Sequence, residues 1–404
     1  VQGAWEPLKT ERVRIGGAAR WGGASYRSRE ASSPVVNGRR LWPDDSLSAN
    51  ALTGRAGMMV WLTDWLGSHV HYSRGFRVPN ITDLGGIGLQ GNGAFEAAVA
   101  DLAGLGAVLG DRADERAQST GRGVERLRPE VSDNVDAGVR VRSRRVEADF
   151  TAFHLTLDNT IVSQTLLLAQ GAVGQTLGDQ VITQQLVSGA VFVPLSASPV
   201  LVRANFSGAR IHGVEQSLRL HLPGNWTFRE NFTWLEAADR RTGLPPDIEP
   251  GTPAPVMNVS LGWRPAARRY WVEVYSGVAL RQERLSSLAL SDRRIGSPRS
   301  RTSIESFFNN GARTRGLVAN GILVATGETL AQVQDRVLGE QTSAPQFLAI
   351  PGYGVVGVRG GVTLGEGTEV LADFANLGDR NYRGVGWGVD AAGRGVTVRL
   401  RYRF

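Results

Sequence analysis

The end of the chain alternates strictly between apolar and polar residues. Every second residue is apolar, namely Val396, Val398, Leu400, Tyr402 and Phe404, and those between are polar, namely Thr397, Arg399, Arg401 and Arg403. Side chains of a strand point alternately to its two faces, so this pattern predicts one apolar and one basic face. A membrane barrel accommodates such a strand, because the apolar face contacts lipid and the arginines face enclosed water. An edge strand of a soluble β-sandwich is the alternative for this segment.

The same alternation recurs along the chain, in segments of about 9–11 residues or more, the length that a tilted strand needs to cross a bilayer. In one of them Val135, Ala137 and Val139 alternate with Asp136 and Gly138. A period of two is the signature of strands, so the chain is predicted to be all-β. The segments are 11–22, 51–63, 67–76, 133–142, 145–157, 206–222, 225–235, 255–264, 268–281, 352–364, 368–376 and 394–404.

Short and long connections alternate between these segments along the chain. The short ones are Asp64-Trp65-Leu66, Ser143-Arg144, Pro223-Gly224, Pro265-Ala266-Ala267 and Gly365-Glu366-Gly367. The long ones are 23–50, 77–132, 158–205, 236–254, 282–351 and 377–393. Outer-membrane barrels have short periplasmic turns and long extracellular loops. We therefore predict an antiparallel transmembrane β-barrel of about twelve strands, with its long loops outside the cell.

Two features of the segments refine this prediction. Trp226, Phe228, Phe232 and Trp234 share one face of a strand, as aromatic residues do where a barrel contacts lipid and its interface. Long loops are usually functional or mobile. The segment 88–126 has room for a short helix, and within 282–348 the residues from Glu328 to Leu338 have a helix-like pattern. No internal repeat or linker divides the chain, so 1–404 is predicted to be one barrel domain.

Composition excludes several other classes of protein. The 404 residues include 51 glycines and no cysteine, so the chain has neither disulfides nor thiolate metal sites. The net charge is +7, but the basic residues are scattered and do not form the compact patch that nucleic-acid binding needs. No apolar run of about 18 residues is present, so no transmembrane helix is expected.

Few residues suggest catalysis or metal binding. His69 and His71 share one face of a strand, a spacing compatible with two metal ligands, but no carboxylate follows them at the same phase. We therefore interpret them as polar residues that line the lumen. A Gly-x-Ser-x-Gly motif is absent. The chain is predicted not to be an enzyme, with no catalytic residue, no cofactor and no metal site.

Four stretches resemble the C-terminal part of TonB-dependent outer-membrane receptors. Residues 72–80 are similar to the family's SxGFRxP element, at which an ascending strand enters an extracellular loop. Residues 376–382 resemble the NLxDxxY element of the penultimate strand, and residues 204–215 resemble its NxxxAxxxGxE strand. The terminal residues Tyr402 and Phe404 resemble the family's C-terminal assembly signal. The four elements lie on strands of the right phase, and the resemblance covers nearly the whole chain.

The resemblance implies a full-length protein in which an N-terminal plug domain is followed along the chain by a barrel of 22 strands. Because the chain begins at Val1, and residues 1–5 look like the tail of a strand that enters a turn at residues 6–8, we expect it to start inside the barrel, without the plug and the early strands. The implied function is energised uptake of an unidentified ligand across a bacterial outer membrane. The implied partners are membrane lipid, the plug, the TonB complex and the barrel-assembly machinery. A passive porin and an adhesive or structural barrel remain the alternatives.

The lumen and the outer loops supply the candidate functional residues. Mixed charges project to the lumen and are expected to pair across strands, to bind the plug or to guide a polar substrate. Pairing is the reading that we favour. The strongest lumen candidates are Arg399, Arg401, Arg403, Glu215 and Glu273, and the candidate ligand contacts in the loops are Arg313, Arg383 and Trp387.

Overall fold

The computed structural model describes residues 2–5, 12–36, 38–40, 42–80, 83, 88–90, 93–248, 251–265, 269–365, 367–383 and 390–402. Within these residues, thirteen successive strands form one antiparallel sheet in which each strand pairs with the next along the chain. They are β1 (Gln2–Trp5), β2 (Val13–Ser28), β3 (Asp45–Trp61), β4 (Leu66–Arg77), β5 (Glu130–Arg142), β6 (Val146–Leu167), β7 (Leu201–Leu222), β8 (Trp226–Asp239), β9 (Val256–Trp263), β10 (Tyr270–Ala279), β11 (Tyr353–Leu364), β12 (Thr368–Ala375) and β13 (Gly395–Tyr402).

The predicted strands are confirmed, with one addition. Each of the twelve alternating segments overlaps one of the strands β2 to β13, and β1 is the strand whose tail was expected at the start of the chain. The turn expected at residues 6–8 lies outside the described residues, as do Ala266, Ala267 and Glu366 of the short connections. The alternation of connections is present in the structure, and the sheet is the antiparallel barrel architecture that the sequence predicted.

Several strands extend further than their sequence pattern on the side of the long connections. β6 and β7 have 22 residues each, and β2 has 16. In β6 the pairing register shifts between Leu157 and Thr160, where Asn159 has a positive φ of 55°. Such a bulge adds a residue and reverses the phase of the alternation. The period of two therefore stops before the strand does.

The two faces of the sheet differ in chemistry. We call the face of Val398 the apolar face and the face of Arg399 the polar face. On the apolar face Val398 is 68% exposed and Leu400 is 70% exposed, and exposed apolar side chains recur on the same face of other strands at Val139 and Val274. A water-soluble sheet would cover such a surface, because contiguous exposed apolar patches of this kind mark interaction sites. One face of the sheet thus exposes apolar side chains, as was expected of the lipid-facing surface of a membrane barrel.

The largest buried apolar cluster lies in the long connections and the adjoining strand ends. It includes Phe95, Leu109, Leu166, Leu177 and Val202. The short loop strands are Val35–Val36, Arg39–Arg40, Gly88–Leu89, Phe95–Ala97, Val108–Gly110, Ser119–Gly123, Thr176–Leu177, Gln180–Val181, Gln184–Gln185, Val191–Phe192, Arg299–Ser300, Val318–Ala319, Ile322–Leu323, Glu328–Thr329 and Ser343–Ala344. These connections are thus folded structures with their own core.

Helices occur only in short pieces within the described residues. They are α1 (Ser287–Ser291), α2 (Arg301–Ser306), α3 (Leu330–Leu338), a π-helix (Phe307–Ala312) and 3-10 turns (Glu30–Ser32, Val99–Leu102, Pro223–Asn225). The helix-like pattern from Glu328 to Leu338 corresponds to α3, whose start is fixed by a capping box of Thr329 and Gln332. Within the described part of 88–126, helical structure is limited to the 3-10 turn. No helix among the described residues is long and apolar enough to cross a bilayer.

Candidate functional site

The charged side chains of the polar face form ion pairs between strands. Arg140 of β5 binds Asp149 of β6 at 2.6 Å, and Arg219 of β7 binds Glu147 of β6 at 3.2 Å. These pairs arise because residues directly opposite each other in an antiparallel sheet share a face and lie side by side. We call the charged residues of this face the ionic band, and it continues across β8, β10, β11, β12 and β13.

Glu273 is the most buried carboxylate of the ionic band. It is 6% exposed, and its two oxygens accept hydrogen bonds from Arg229 Nη1 and Arg359 Nε, each at 2.8 Å. The residue opposite it on β9 is Gly262, which leaves room for the carboxylate: a Cβ there would lie 3.3 Å from Oε2. Two guanidinium groups thus flank the one carboxylate and supply the ion pairing that a buried carboxylate requires.

Two cavities open onto the ionic band. The first, of about 1000 Å³, is lined by Arg229, Glu273, Arg359 and Arg399 together with the hydroxyl-bearing Tyr275. The second, of about 560 Å³, lies further along the sheet and is lined by charged residues that include Arg140, Asp149, Glu215 and Arg219. Arg229 lines both cavities, so the two form one polar surface.

The lumen candidates lie on this polar surface as far as they are described. Glu273 and Arg399 line the first cavity and Glu215 lines the second. Arg401 Nη1 binds Glu369 at 3.2 Å on the neighbouring strand. Arg403 lies outside the described residues. Glu273 and Arg401 thus form ion pairs between strands, and the functional role of the lumen candidates, in pairing, in contacting a plug or in guiding a substrate, stays a prediction.

The residues of the C-terminal signal are only partly described. Tyr402 is 57% exposed on the apolar face at the end of β13, and Phe404 lies outside the described residues. The register of β13 with β12 places Tyr402 opposite Thr368. Recognition of this end by an assembly factor stays a prediction.

The two loop candidates that the structure describes, Arg313 and Arg383, line neither of these cavities. Arg383 donates hydrogen bonds to Asp390 at 2.8 and 3.0 Å and to the carbonyl oxygen of Arg294 at 3.2 Å, so it connects two long loops. This guanidinium lowers the pKa of Asp390 below its ordinary value. Arg313 is exposed directly after the π-helix. Trp387 lies outside the described residues.

Sequence reasoning missed two clusters that only strand pairing assembles. Asp136 of β5 lies directly opposite His71, and its Oδ1 is 3.0 Å from His71 Nδ1. Glu96, in the loop core, is 1% exposed and accepts a hydrogen bond from Arg203 Nε at 3.0 Å. The period of two showed that His69 and His71 share a face, but the neighbouring carboxylate could be found only from the register of β4 and β5.

The arrangement suits the binding and guidance of a polar solute. The surface is lined by fixed charges of both signs, and each carboxylate of the ion pairs named above has a guanidinium neighbour. Fixed charges in a cleft attract and orient charged solutes. This polar surface therefore acts on a solute mainly through electrostatic interactions.

Comparisons with known proteins agree with this description. A family model described as "TonB dependent receptor-like, beta-barrel" matches residues 1–377. No curated protein matches the chain. Among solved structures the chain is similar to the copper transporter OprC, with 14% identity and a TM-score of 0.57, over 99% of this chain and 46% of that one.

Two further solved structures show the same fold. One is the FrpB iron transporter from Neisseria meningitidis, F3-3 variant, with 12% identity and a TM-score of 0.54 over 97% of this chain and 42% of that one. The other is a G324V mutant of the ferric enterobactin receptor PfeA from Pseudomonas aeruginosa, with 14% identity and a TM-score of 0.53 over 98% of this chain and 52% of that one. The chain thus spans about half the length of these relatives. With the two-faced sheet and the match over residues 1–377, the chain belongs to the family of TonB-dependent receptor-like β-barrels.

Proposed function

We propose that this chain is the C-terminal barrel portion of a TonB-dependent receptor that takes up a scarce ligand across a bacterial outer membrane. The family consists of transport receptors, and the match to its barrel model over residues 1–377 is the observation that carries the proposal. The apolar face supports it, because its exposed side chains suit contact with lipid hydrocarbon. No covalent chemistry is assigned to the chain.

The ionic band gives the proposal a physical basis. In a receptor of this class the polar face surrounds a plug domain, and the paired charges around Glu273 and Glu215 offer contacts to it. The long loops, with Arg313, Arg383 and Trp387 among them, are the proposed outer contacts of the ligand. The partners implied are outer-membrane lipid, a plug, the TonB complex and the barrel-assembly machinery.

The ligand is open, and the relatives indicate which probes to use first. OprC is named a copper transporter, FrpB an iron transporter and PfeA a ferric enterobactin receptor. Two suitable probes are therefore Cu²⁺ and radiolabelled ferric enterobactin. Vitamin, oligosaccharide and peptide ligands follow if neither is taken up.

The test is an uptake experiment with the full-length protein. Cells that express it should accumulate a ligand against its gradient, and a protonophore or deletion of TonB should abolish that accumulation. Uptake that persists in the absence of a proton gradient would identify a passive porin. Correct insertion in the outer membrane, with surface binding but no uptake of any probe, would favour the adhesive barrel.

A further inference from the structure

We propose that His69, His71 and Asp136 form a binding site for a divalent transition-metal cation, with Zn²⁺ as its probe. The three residues lie on the polar face of β4 and β5, and each offers a ligand atom within 4.8 Å of the others. Two imidazoles and one carboxylate, without a thiolate, are a donor set that Zn²⁺, Cu²⁺ and Ni²⁺ accept. The proposal concerns binding and does not depend on transport.

His69 carries the strongest indication of a ligand. It is only 8% exposed, and its Nδ1 is buried without a hydrogen-bond partner in the part of the chain that the structure describes. A buried polar atom without a partner costs free energy, because no hydrogen bond compensates for the loss of its hydration. A bound cation removes that cost, because an imidazole nitrogen with a free lone pair is a metal ligand.

The hydrogen bonds around His69 determine which nitrogen carries the proton. The hydroxyl of Thr151 donates its single proton to Asp149 Oδ1 at 3.0 Å. Its oxygen lies 3.2 Å from His69 Nε2, so it accepts the Nε2 proton. Nδ1 is then left unprotonated with its lone pair available. Arg140 holds Asp149 in turn, at 2.6 Å, which gives the metal-ligating histidine the outer support usual at such sites.

The other two ligands are also held in place. Asn134 Nδ2 donates to Asp136 Oδ2 at 3.2 Å, while Asp136 Oδ1 faces His71 Nδ1. In the absence of metal a proton on His71 Nδ1 bridges these two atoms. A cation that binds His71 Nδ1 takes the place of that proton, which the neutral imidazole then carries on Nε2.

The backbone leaves space for both imidazole rings. His69 lies over Gly138, where a Cβ would be 2.6 Å from its Cε1, and His71 lies over Gly57, where a Cβ would collide with its Cδ2. Ligand atoms around tetrahedral Zn²⁺ are about 3.3 Å apart, since each bond is about 2.0–2.1 Å long. The three ligand atoms, now within 4.8 Å of one another, must therefore approach each other when Zn²⁺ binds, and His71, whose side chain is 49% exposed, is the less enclosed of the two histidines. Asp149 and Thr151 line the second cavity, which gives the cation an aqueous path.

The test is a Zn²⁺ titration of the full-length protein in detergent, after treatment with a chelator. We expect one Zn²⁺ per chain. His71→Ala and Asp136→Asn should weaken binding more than about 100-fold, and Thr151→Val about 10–100-fold, because it removes the acceptor that fixes the tautomer of His69. His154→Ala is the matched control. His154 stacks on His212 at 6.4 Å on the apolar face, and its replacement should leave Zn²⁺ binding unchanged.

Two results would overturn the proposal. One is a parent protein that binds no Zn²⁺ or Cu²⁺ at micromolar concentration. The other is equal affinity of the parent, His71→Ala and Asp136→Asn proteins, all of which should retain the heat-modifiable mobility of a folded barrel. The electron paramagnetic resonance spectrum of bound Cu²⁺ gives an independent readout. It should show coupling to two imidazole nitrogens in the parent and to one in His71→Ala.

Discussion

The hydroxyl of Tyr275 donates a hydrogen bond to Asp373 Oδ1 at 2.7 Å and so reaches from β10 across β11 to β12. Gly357 of β11 lies opposite Tyr275 in the register, and a Cβ there would collide with the tyrosine ring. The absence of one side chain on the middle strand therefore lets two outer strands connect over it.

Gly357→Ala should displace the ring of Tyr275 and break this connection. We expect a loss of about 1–3 kcal/mol in the free energy of unfolding, as is usual when a tightly packed site is overfilled. Gly354→Ala is the matched control on the same strand, because the nearest atom to its Cβ is 4.0 Å away. Circular dichroism melting in detergent measures both. Equal melting temperatures for the two variants would show that the contact has no energetic weight.

Glu273→Gln should leave the guanidinium groups of Arg229 and Arg359 facing each other without an anion. Removing one partner of a fully buried pair costs about 3–5 kcal/mol. The cost here should be smaller, because both arginines are nearly half exposed. Glu369→Gln, which breaks the more exposed pair with Arg401, should cost less than about 1 kcal/mol. Unfolding in denaturant compares the two, and the ranking is wrong if Glu369→Gln is the more damaging change.

Val398→Arg should hinder membrane assembly, whereas Thr397→Arg should not. An arginine on the lipid face of a barrel costs about 2–4 kcal/mol at the bilayer midplane. Residue 397 lies on the polar face opposite Asp373, where a new guanidinium finds a carboxylate. The amount of heat-modifiable protein in outer-membrane fractions measures the difference. Equal assembly of both variants would contradict the assignment of the faces.

Glu96→Ala should loosen the folded loops without unfolding the sheet. It removes the buried partner of Arg203 and the acceptor of Ser163 Oγ, which donates at 2.7 Å. Limited proteolysis should then cleave within 158–200 at a higher rate. Glu125→Ala is the control, because Glu125 is largely exposed and lies 3.6 Å from Arg128. Unchanged cleavage of Glu96→Ala would mean that this buried pair does not hold the loops.

The link between Arg383 and Asp390 should weaken in acid. The pKa of Asp390 is lowered from its ordinary value of 3.8. The ion pair therefore contributes its full stability at a pH above 3.8, and this contribution is lost as the pH falls through the lowered pKa of the folded protein. The backbone amide of Ala391, which donates to the carbonyl oxygen of Tyr382 at 2.8 Å, reports on this loop through hydrogen exchange. Asp390→Asn should remove the pH dependence of Ala391 protection. If the dependence persists in that variant, another group is responsible.

The sequence by itself determined the strands, their two faces and the alternation of connections. These follow from local chemistry, because a period of two assigns each side chain of a strand to a face without reference to its neighbours. The pattern ended before the strand did in β2, β6 and β7, and in β6 it ended at the bulge of Asn159. The helix at Leu330–Leu338 was likewise predicted from its local pattern.

Only the tertiary structure decided which side chains meet across strands. The register of two paired strands sets which residue of one strand lies beside which residue of the other. Asp136 and His71 are 65 residues apart in the chain, so no local pattern could predict that they are partners. The same holds for Glu96 and Arg203, which are 107 residues apart and lie in a loop strand and in β7. The sequence therefore specified the wall of the barrel, while long-range pairing specified the contacts on its surface.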